Sequence, residues 1–275
     1  MSISIIAPYD ISLAAGLEFY PSAGSPILTM LTAFETNANI KLSLPMSGAD
    51  DSATLVDFSS FAKTATRVGV PVISHDVFTN WPPIGTGSLY CPAAGDYYTY
   101  PLTSDYDLTS VDGWLECFIY VTSLAATRGI CAIGTSGGQT SVYLYTNGQL
   151  AIGRAGLNEI ATAAGVIAAN TKYHVRITKI SGVTKIYVDA VEKASSSTAV
   201  WVAGSGTTFQ IGQVPGYGGA IYIDNFKFFK GQTCADTSVP TTEAGYPTNS
   251  PATTHKFSIP GATIDNVDAC IDFLE

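Results

Sequence analysis

Residues 141–153 read Ser-Val-Tyr-Leu-Tyr-Thr-Asn-Gly-Gln-Leu-Ala-Ile-Gly and form the clearest structural signal in the chain. Two runs rich in β-branched, aromatic and aliphatic residues flank Asn147-Gly148. Both residues of that pair tolerate the positive φ angles that a type I′ turn requires. The stretch therefore predicts a β-hairpin with its turn at residues 147–148.

Strand-like segments continue on both sides of this hairpin. In residues 173–178, Tyr-His-Val-Arg-Ile-Thr, apolar and polar side chains alternate, which is typical of a strand with one face on a core. Turns are expected at Ser181-Gly182 and Asp189-Ala190. Further strands are predicted at residues 114–121, 129–133, 208–211 and 221–229. No 3.6-residue periodicity is sustained, so the chain is expected to be all-β, a sandwich or a barrel.

Composition and charge narrow the class of protein. The 275 residues are 46% hydrophobic and only 13% charged, which suits a folded protein rather than a disordered one. The net charge of −9 disfavours nucleic acid as a partner. Much of it lies at the ends, because residues 1–40 have no Lys or Arg and residues 232–275 have one. Acidic ends suit either attachment to a partner or simple solubility, and the sequence leaves both open.

Cysteine usage and the N-terminal sequence bear on location. The five cysteines have no C-x-x-C pair and fit neither a zinc site nor a disulfide framework, so reduced thiols are expected. No basic segment precedes the first apolar stretch, and no apolar run reaches membrane-spanning length. A soluble protein without a secretory signal or a transmembrane segment is therefore expected.

The order of motifs resembles that of the laminin G-like, concanavalin A-like superfamily. The matching segments are Gly95-Asp-Tyr-Tyr98, Trp114–Val121, Tyr173-His-Val175, Lys185–Asp189, Phe209–Gly212 and Ile221–Gly231. The resemblance implies an antiparallel jelly-roll β-sandwich over residues 40–231. The flanks would then be an extended N-terminal attachment arm (residues 1–39) and a Thr/Pro-rich linker with a short apolar tail (residues 232–275).

The same resemblance suggests a function. Domains of this family bind carbohydrate or protein and are frequent in structural proteins of tailed bacteriophages. The resemblance therefore implies a virion component: a capsid decoration, head-fibre or tail-associated protein assembled in the host cytoplasm. It would contact other virion proteins through residues 1–39 and the C-terminal tail and form a homo-oligomer. Surface glycans are its candidate ligands. The alternatives are a bacterial glycan-binding adhesin or carbohydrate-binding module and, less favoured, a glycoside hydrolase.

No catalytic group is predicted. A glycosidase needs two carboxyl groups on either side of the scissile bond, whereas Glu116 is the only carboxylate in its strand. The histidines His75, His174 and His255 are far apart in the sequence, and none is at a ligand spacing. A binding protein rather than an enzyme is therefore expected.

Five residues are candidate binding positions. Trp81, Trp201 and Tyr217 lie in loop-like contexts, where an aromatic ring can stack on a sugar or simply cover an edge of the sandwich. Asp96 and Asp224 occupy family-matched positions where related domains can place acidic groups, and calcium is the ion that such oxygen ligands would suit. The alternative, which the sequence favours, is that both carboxylates cap turns. No other cofactor is expected.

Overall fold

The computed structural model describes residues 38–46, 48–77, 87–135, 138–154, 157–201, 206–231, 234 and 238–240, except for the side chain of residue 157. Candidate residue Trp81 lies outside these ranges, as do nearly all of the predicted arm (1–39) and tail (232–275). In the described part of the chain, no helix is long and apolar enough to cross a membrane.

Antiparallel strands account for almost all regular structure in the described residues, which confirms the predicted all-β class. The other element is a 3₁₀ turn at Ser104–Tyr106. The strands are β1 Ile40–Leu44, β2 Thr66–Val68, β3 Val72–Ser74, β4 Ser88–Cys91, β5 Tyr97–Pro101, β6 Gly113–Tyr120, β7 Arg128–Ile133, β8 Thr140–Leu144, β9 Leu150–Arg154, β10 Leu157–Ala161, β11 Lys172–Ile180, β12 Val183–Val188, β13 Val191–Ser196, β14 Thr208–Ile211 and β15 Ile221–Lys230.

The strands form two sheets that face each other. The eight-stranded sheet has the order β13-β12-β11-β6-β15-β4-β3, and β1 also pairs with β15. The seven-stranded sheet has the order β10-β9-β8-β7-β14-β5-β2. Alternate side chains of each strand point inward, so that Leu115 and Cys117 of β6 share one core with Val142 and Leu144 of β8. This arrangement is the predicted jelly-roll sandwich.

The predicted hairpin is present, but its turn is not of the predicted type. Strands β8 and β9 pair through Leu144 and Leu150, whereas only Gly148 of the Asn-Gly pair has a positive φ, 77°. A neighbouring loop accounts for the difference, because Gly165 and Ile167 donate backbone N–H groups to the carbonyls of Asn147 and Gly148 at 2.8 and 3.0 Å. The conformation of this turn is thus stabilised by a tertiary contact rather than by the preferences of Asn147-Gly148 alone.

The outward face of the eight-stranded sheet is covered rather than open to solvent. Trp114, Glu116 and Phe118 alternate with core residues along β6, yet they are only 8%, 4% and 0% exposed. Cys234 packs against the cluster of Ile40, Trp114 and Phe229, and Val239 packs against the cluster of Phe118 and Tyr222. The chain beyond β15 therefore contributes to covering this face, and aromatic side chains beneath it are not presented to solvent.

Candidate functional site

The outward face of the seven-stranded sheet has a cleft, and small residues form the floor of this cleft. Ser141 of β8 lies opposite Gly153 of β9, and the ring of Tyr143 lies over Gly153. A Cβ atom at position 153 would be 2.1 Å from Tyr143 Oη, so a larger residue there would displace the ring. Glycine at this position therefore allows a tyrosine to lie flat along the sheet.

The turn between β14 and β15 brings a second tyrosine over the same floor. Val214 and Tyr217 each donate a backbone N–H to the other's carbonyl, at 3.0 and 2.9 Å. Gly129 of β7 lets this turn approach the sheet, since a Cβ there would meet Val214 N at 2.1 Å. Tyr217 remains 44% exposed and stacks on Tyr143, with ring centroids 5.9 Å apart and planes inclined by 25°. An aromatic face is thus held rigidly toward solvent.

Asn158 of β10 fixes the hydroxyl groups at one end of the cleft. Its Oδ1 accepts hydrogen bonds from Tyr143 Oη at 2.6 Å and from Tyr145 Oη at 2.8 Å. The rings of Tyr143 and Tyr145 meet at 90° with centroids 5.0 Å apart. Burial raises the pKa of Tyr143, and the neighbouring hydroxyl group of Tyr145 raises this pKa further. Asn158 thus fixes the positions of both hydroxyl groups.

The dimensions of the cleft limit what it can do. Its volume is about 40 Å³, and Gln139 and Pro215 complete its rim beside the three tyrosines. The cleft is open to solvent and too small to enclose a ring-sized ligand. It can instead act as a platform, on which a ligand with an apolar face stacks while amide and hydroxyl groups bind its edge.

The three aromatic candidates have different outcomes. Tyr217 lies in the cleft with its ring exposed. Trp201 is 1% exposed and its Nε1 donates a hydrogen bond to Thr184 Oγ1 at 2.9 Å, so its ring belongs to the core and has no face toward a ligand. The loop-like sequence around Trp201 did not indicate this burial. Removing so large an apolar ring from water is favourable, and the ring therefore packs into the sandwich. Trp81 lies outside the described residues.

Sequence reasoning missed Tyr143, Tyr145 and Asn158. The signal for the tyrosines was present, because residues 143 and 145 alternate with Val142 and Leu144 and so share the outward face of the predicted hairpin. No comparable signal marked Asn158. Its role depends on the pairing of β10 with β9, which brings it opposite Gly153.

The two calcium candidates both make backbone hydrogen bonds that suit turn capping. Asp96 accepts from Val70 N at 2.8 Å through Oδ1 and from Ala93 N at 2.9 Å through Oδ2, which ties two turns together. Asp224 is fully buried in β15, and its Oδ1 accepts from Asn225 N at 2.7 Å. Among the residues that the structure describes, no group of three or more His, Cys, Asp or Glu is placed to hold a metal ion.

Glu116 is the centre of a buried ionic cluster. Its Oε2 accepts from His174 Nε2 at 3.1 Å and from Arg176 Nε at 3.0 Å, and all three side chains are at most 5% exposed. Burial alone would raise the pKa of Glu116, but the hydrogen bond from His174 and the charge of Arg176 outweigh it and hold this pKa below its ordinary value. A carboxyl group in this state is poorly suited to donate a proton.

The sequence of this chain matches a known protein family whose fold agrees with the two-sheet sandwich. Residues 93–234 match a family model described as the concanavalin A-like lectin/glucanases superfamily. No curated protein matches the sequence significantly.

Several solved structures share the fold. The binding domain of Paraclostridial Mosquitocidal Protein 1 has a TM-score of 0.55 and 12% identity, covering 71% of this chain and 50% of that chain. The binding domain of Botulinum Neurotoxin DC, solved in complex with SialylT, has a TM-score of 0.50 and 17% identity, covering 70% and 48%. The botulinum neurotoxin serotype C1 binding domain has a TM-score of 0.50 and 14% identity, again covering 70% and 48%. This chain thus spans about half the length of these structures, and at such identities the likeness concerns the fold alone.

Proposed function

Because the chain belongs to the concanavalin A-like lectin/glucanases superfamily, we propose that its sandwich binds a surface glycan. The binding site in this proposal is the cleft formed by Tyr143, Tyr145 and Tyr217. The observation that carries it is the exposed ring of Tyr217, held over a floor of small residues and stacked on Tyr143 at 5.9 Å. A sugar has an apolar face and a polar edge, and the cleft offers aromatic surface beside amide and hydroxyl groups.

The shallowness of the cleft indicates weak binding at a single site. A cleft of about 40 Å³ contacts one side of a sugar and leaves the other side in water. Such a site suits a dissociation constant in the millimolar range, about 4 kcal/mol of binding free energy. Useful attachment then requires several copies acting together, since linked sites gain avidity without new contacts. The proposal therefore includes a homo-oligomer or an array of copies.

Display on the virion of a tailed phage would supply such an array. In this proposal the sandwich, from β1 at Ile40 to β15 at Lys230, faces outward, and residues 1–39 and 232–275 attach it to capsid or tail proteins. Their acidic composition separates them from the nearly neutral middle of the chain. A bacterial adhesin would use the same cleft, but it would be anchored to a cell rather than to a particle.

Binding without cleavage is the favoured mode. Glycoside hydrolysis requires a carboxylic acid that can protonate the leaving group. Glu116, the carboxylate of β6, lies on the covered face of the other sheet, and its lowered pKa keeps it ionised. We therefore propose that glycans bound by this protein remain intact.

Replacing Tyr217 by alanine is expected to weaken glycan binding about tenfold, or about 1.4 kcal/mol, because the exposed stacking face is lost. A glycan array followed by calorimetry with the best-binding sugar measures the change. Phe61→Ala provides a matched control, since Phe61 is 42% exposed and contacts the ammonium groups of Lys41 and Lys63 instead. Equal affinity of the Tyr217→Ala variant and the wild type would exclude the cleft as the binding site.

Deleting residues 1–38 is expected to abolish incorporation into phage particles while leaving the sandwich folded, because β1 begins at Ile40. Particles assembled with the truncated protein can be purified and probed for it, with the full-length protein as the control. Circular dichroism checks the fold of the truncated protein. Incorporation at the level of the full-length protein would contradict an attachment role for this arm.

A further inference from the structure

The direction of the hydrogen bonds around Asn158 limits the ligands that the cleft can take. A phenol has one hydroxyl hydrogen, and those of Tyr143 and Tyr145 both point to Asn158 Oδ1, at 2.6 and 2.8 Å. The 3.4 Å separation between the two tyrosine oxygens is too long to compete for either hydrogen. Tyr143 is only 4% exposed and meets a ligand at the cleft, beside the more open Tyr145; toward that ligand both oxygens offer lone pairs and no donor.

The charge distribution around the cleft also disfavours an anionic ligand. The face of a tyrosine ring carries the negative end of its quadrupole, which attracts C–H groups and repels anions. Among the described residues that line the cleft there is no Lys, Arg or His to offset it. The net charge of −9 adds a weaker long-range repulsion.

We propose that the cleft selects uncharged, hydroxyl-bearing sugars and rejects sugars that bring a carboxylate, sulfate or phosphate to Tyr143 and Tyr145; this rests on the glycan-binding function proposed above. A sugar hydroxyl can donate to the tyrosine oxygens, whereas an anionic group has only lone pairs to place against them. Asn158 acts here as a positioning residue, because its carbonyl oxygen turns both hydroxyl hydrogens away from the ligand. Discrimination of this kind comes from an unfavourable contact with the wrong ligand.

A glycan array of matched pairs tests this inference. Each neutral oligosaccharide is printed beside its sialylated and its sulfated counterpart, so that the members of a set differ only in charge. The wild-type protein is expected to bind the neutral member at least tenfold more strongly. Tyr217→Ala is expected to bind every member about tenfold more weakly than the wild type does.

Two substitutions at position 158 test whether the preference for neutral sugars depends on the hydrogen-bond acceptor of Asn158 or only on the shape of the cleft. Asn158→Asp keeps oxygen acceptors for both hydroxyl hydrogens, so the preference for neutral sugars should persist or increase. Asn158→Leu removes the acceptor and frees both hydroxyl groups to donate to the ligand, so the preference should fall below threefold. Because Asn158 is exposed on the edge strand β10, both variants are expected to fold, which circular dichroism verifies.

The outcomes distinguish the inference from the function on which it rests. Binding that depends on Tyr217 but is equal or stronger for the charged sugars would overturn the inference and leave the glycan site standing. An unchanged preference in Asn158→Leu would overturn the role given to Asn158. Binding to no glycan, or binding that does not depend on Tyr217, would overturn the proposed function itself.

Discussion

Replacing Glu116 by alanine is expected to lower the free energy of unfolding by about 3–5 kcal/mol, because it removes a buried carboxylate from its ion pair with Arg176 and its hydrogen bond with His174. Arg176 is at most 5% exposed, and its Nε lies 3.0 Å from Glu116 Oε2. Urea denaturation at neutral pH measures the loss. Glu116→Gln is the control for charge, since it keeps an oxygen acceptor for His174 and Arg176 and should cost less.

The pH dependence of stability provides a separate check on this cluster. The pKa of Glu116 is lower in the folded protein than its ordinary value, which is about 4.3 in an unfolded chain. Its contribution to stability is therefore complete above about pH 4.3 and is lost as the pH falls through the folded pKa. The wild type should therefore become less stable in acid. The Glu116→Gln variant lacks the ionisable carboxyl group at this position, so its stability should not show this part of the pH dependence. Parallel acid titrations of the two proteins would contradict the ionic cluster.

Trp201→Ala is expected to destabilise the protein by about 3–5 kcal/mol, because it removes a large, fully buried ring and leaves a cavity. Thermal or urea denaturation measures the effect. Trp201→Phe retains most of the volume and loses only the hydrogen bond to Thr184, so a cost of about 1–2 kcal/mol is expected.

The same variants test whether Trp201 has any part in binding. Since its ring has no exposed face, Trp201→Phe should bind glycans with the affinity of the wild type. A loss of glycan affinity comparable to that of Tyr217→Ala, in a folded Trp201→Phe protein, would contradict its assignment to the core.

The strand pattern could be predicted because it depends on local periodicity. The alternation of residues 173–178 is realised in β11, where Val175 and Ile177 face the core and His174 and Arg176 face outward. The burial of those outward residues could not be predicted. It depends on what packs over the sheet, such as Val239 against the cluster of Phe118 and Tyr222, and such contacts join residues far apart in the sequence.

Turn geometry was less predictable than strand position. At Asp189-Ala190, where Ala190 is a poor match for a type I′ turn, both φ angles are positive, at 49° and 67°. Asp189 is held there by two bonds to His174, its N–H donating to the carbonyl at 2.9 Å and its Oδ1 accepting from the N–H at 2.8 Å. Side-chain anchoring thus stabilises a backbone conformation that residue preferences alone disfavour.

The candidate site was predictable only in part, since one of its members lies in a distinctive loop. Tyr217 stands in a Gly-rich turn, whereas Tyr143 and Asn158 resemble any outward strand residues. Their grouping arises from the order of strands in the sheet, in which β8, β9 and β10 are neighbours. That order is a property of the whole fold rather than of a motif.

Nuclear magnetic resonance of the tyrosine-labelled protein, titrated with the neutral glycan that binds best, tests most directly where the ligand sits. If the cleft is the binding site, the ring signals of Tyr143, Tyr145 and Tyr217 should shift together and saturate with one dissociation constant. Shifts confined to Tyr120 and Tyr222, on the covered face of the eight-stranded sheet, would contradict this location.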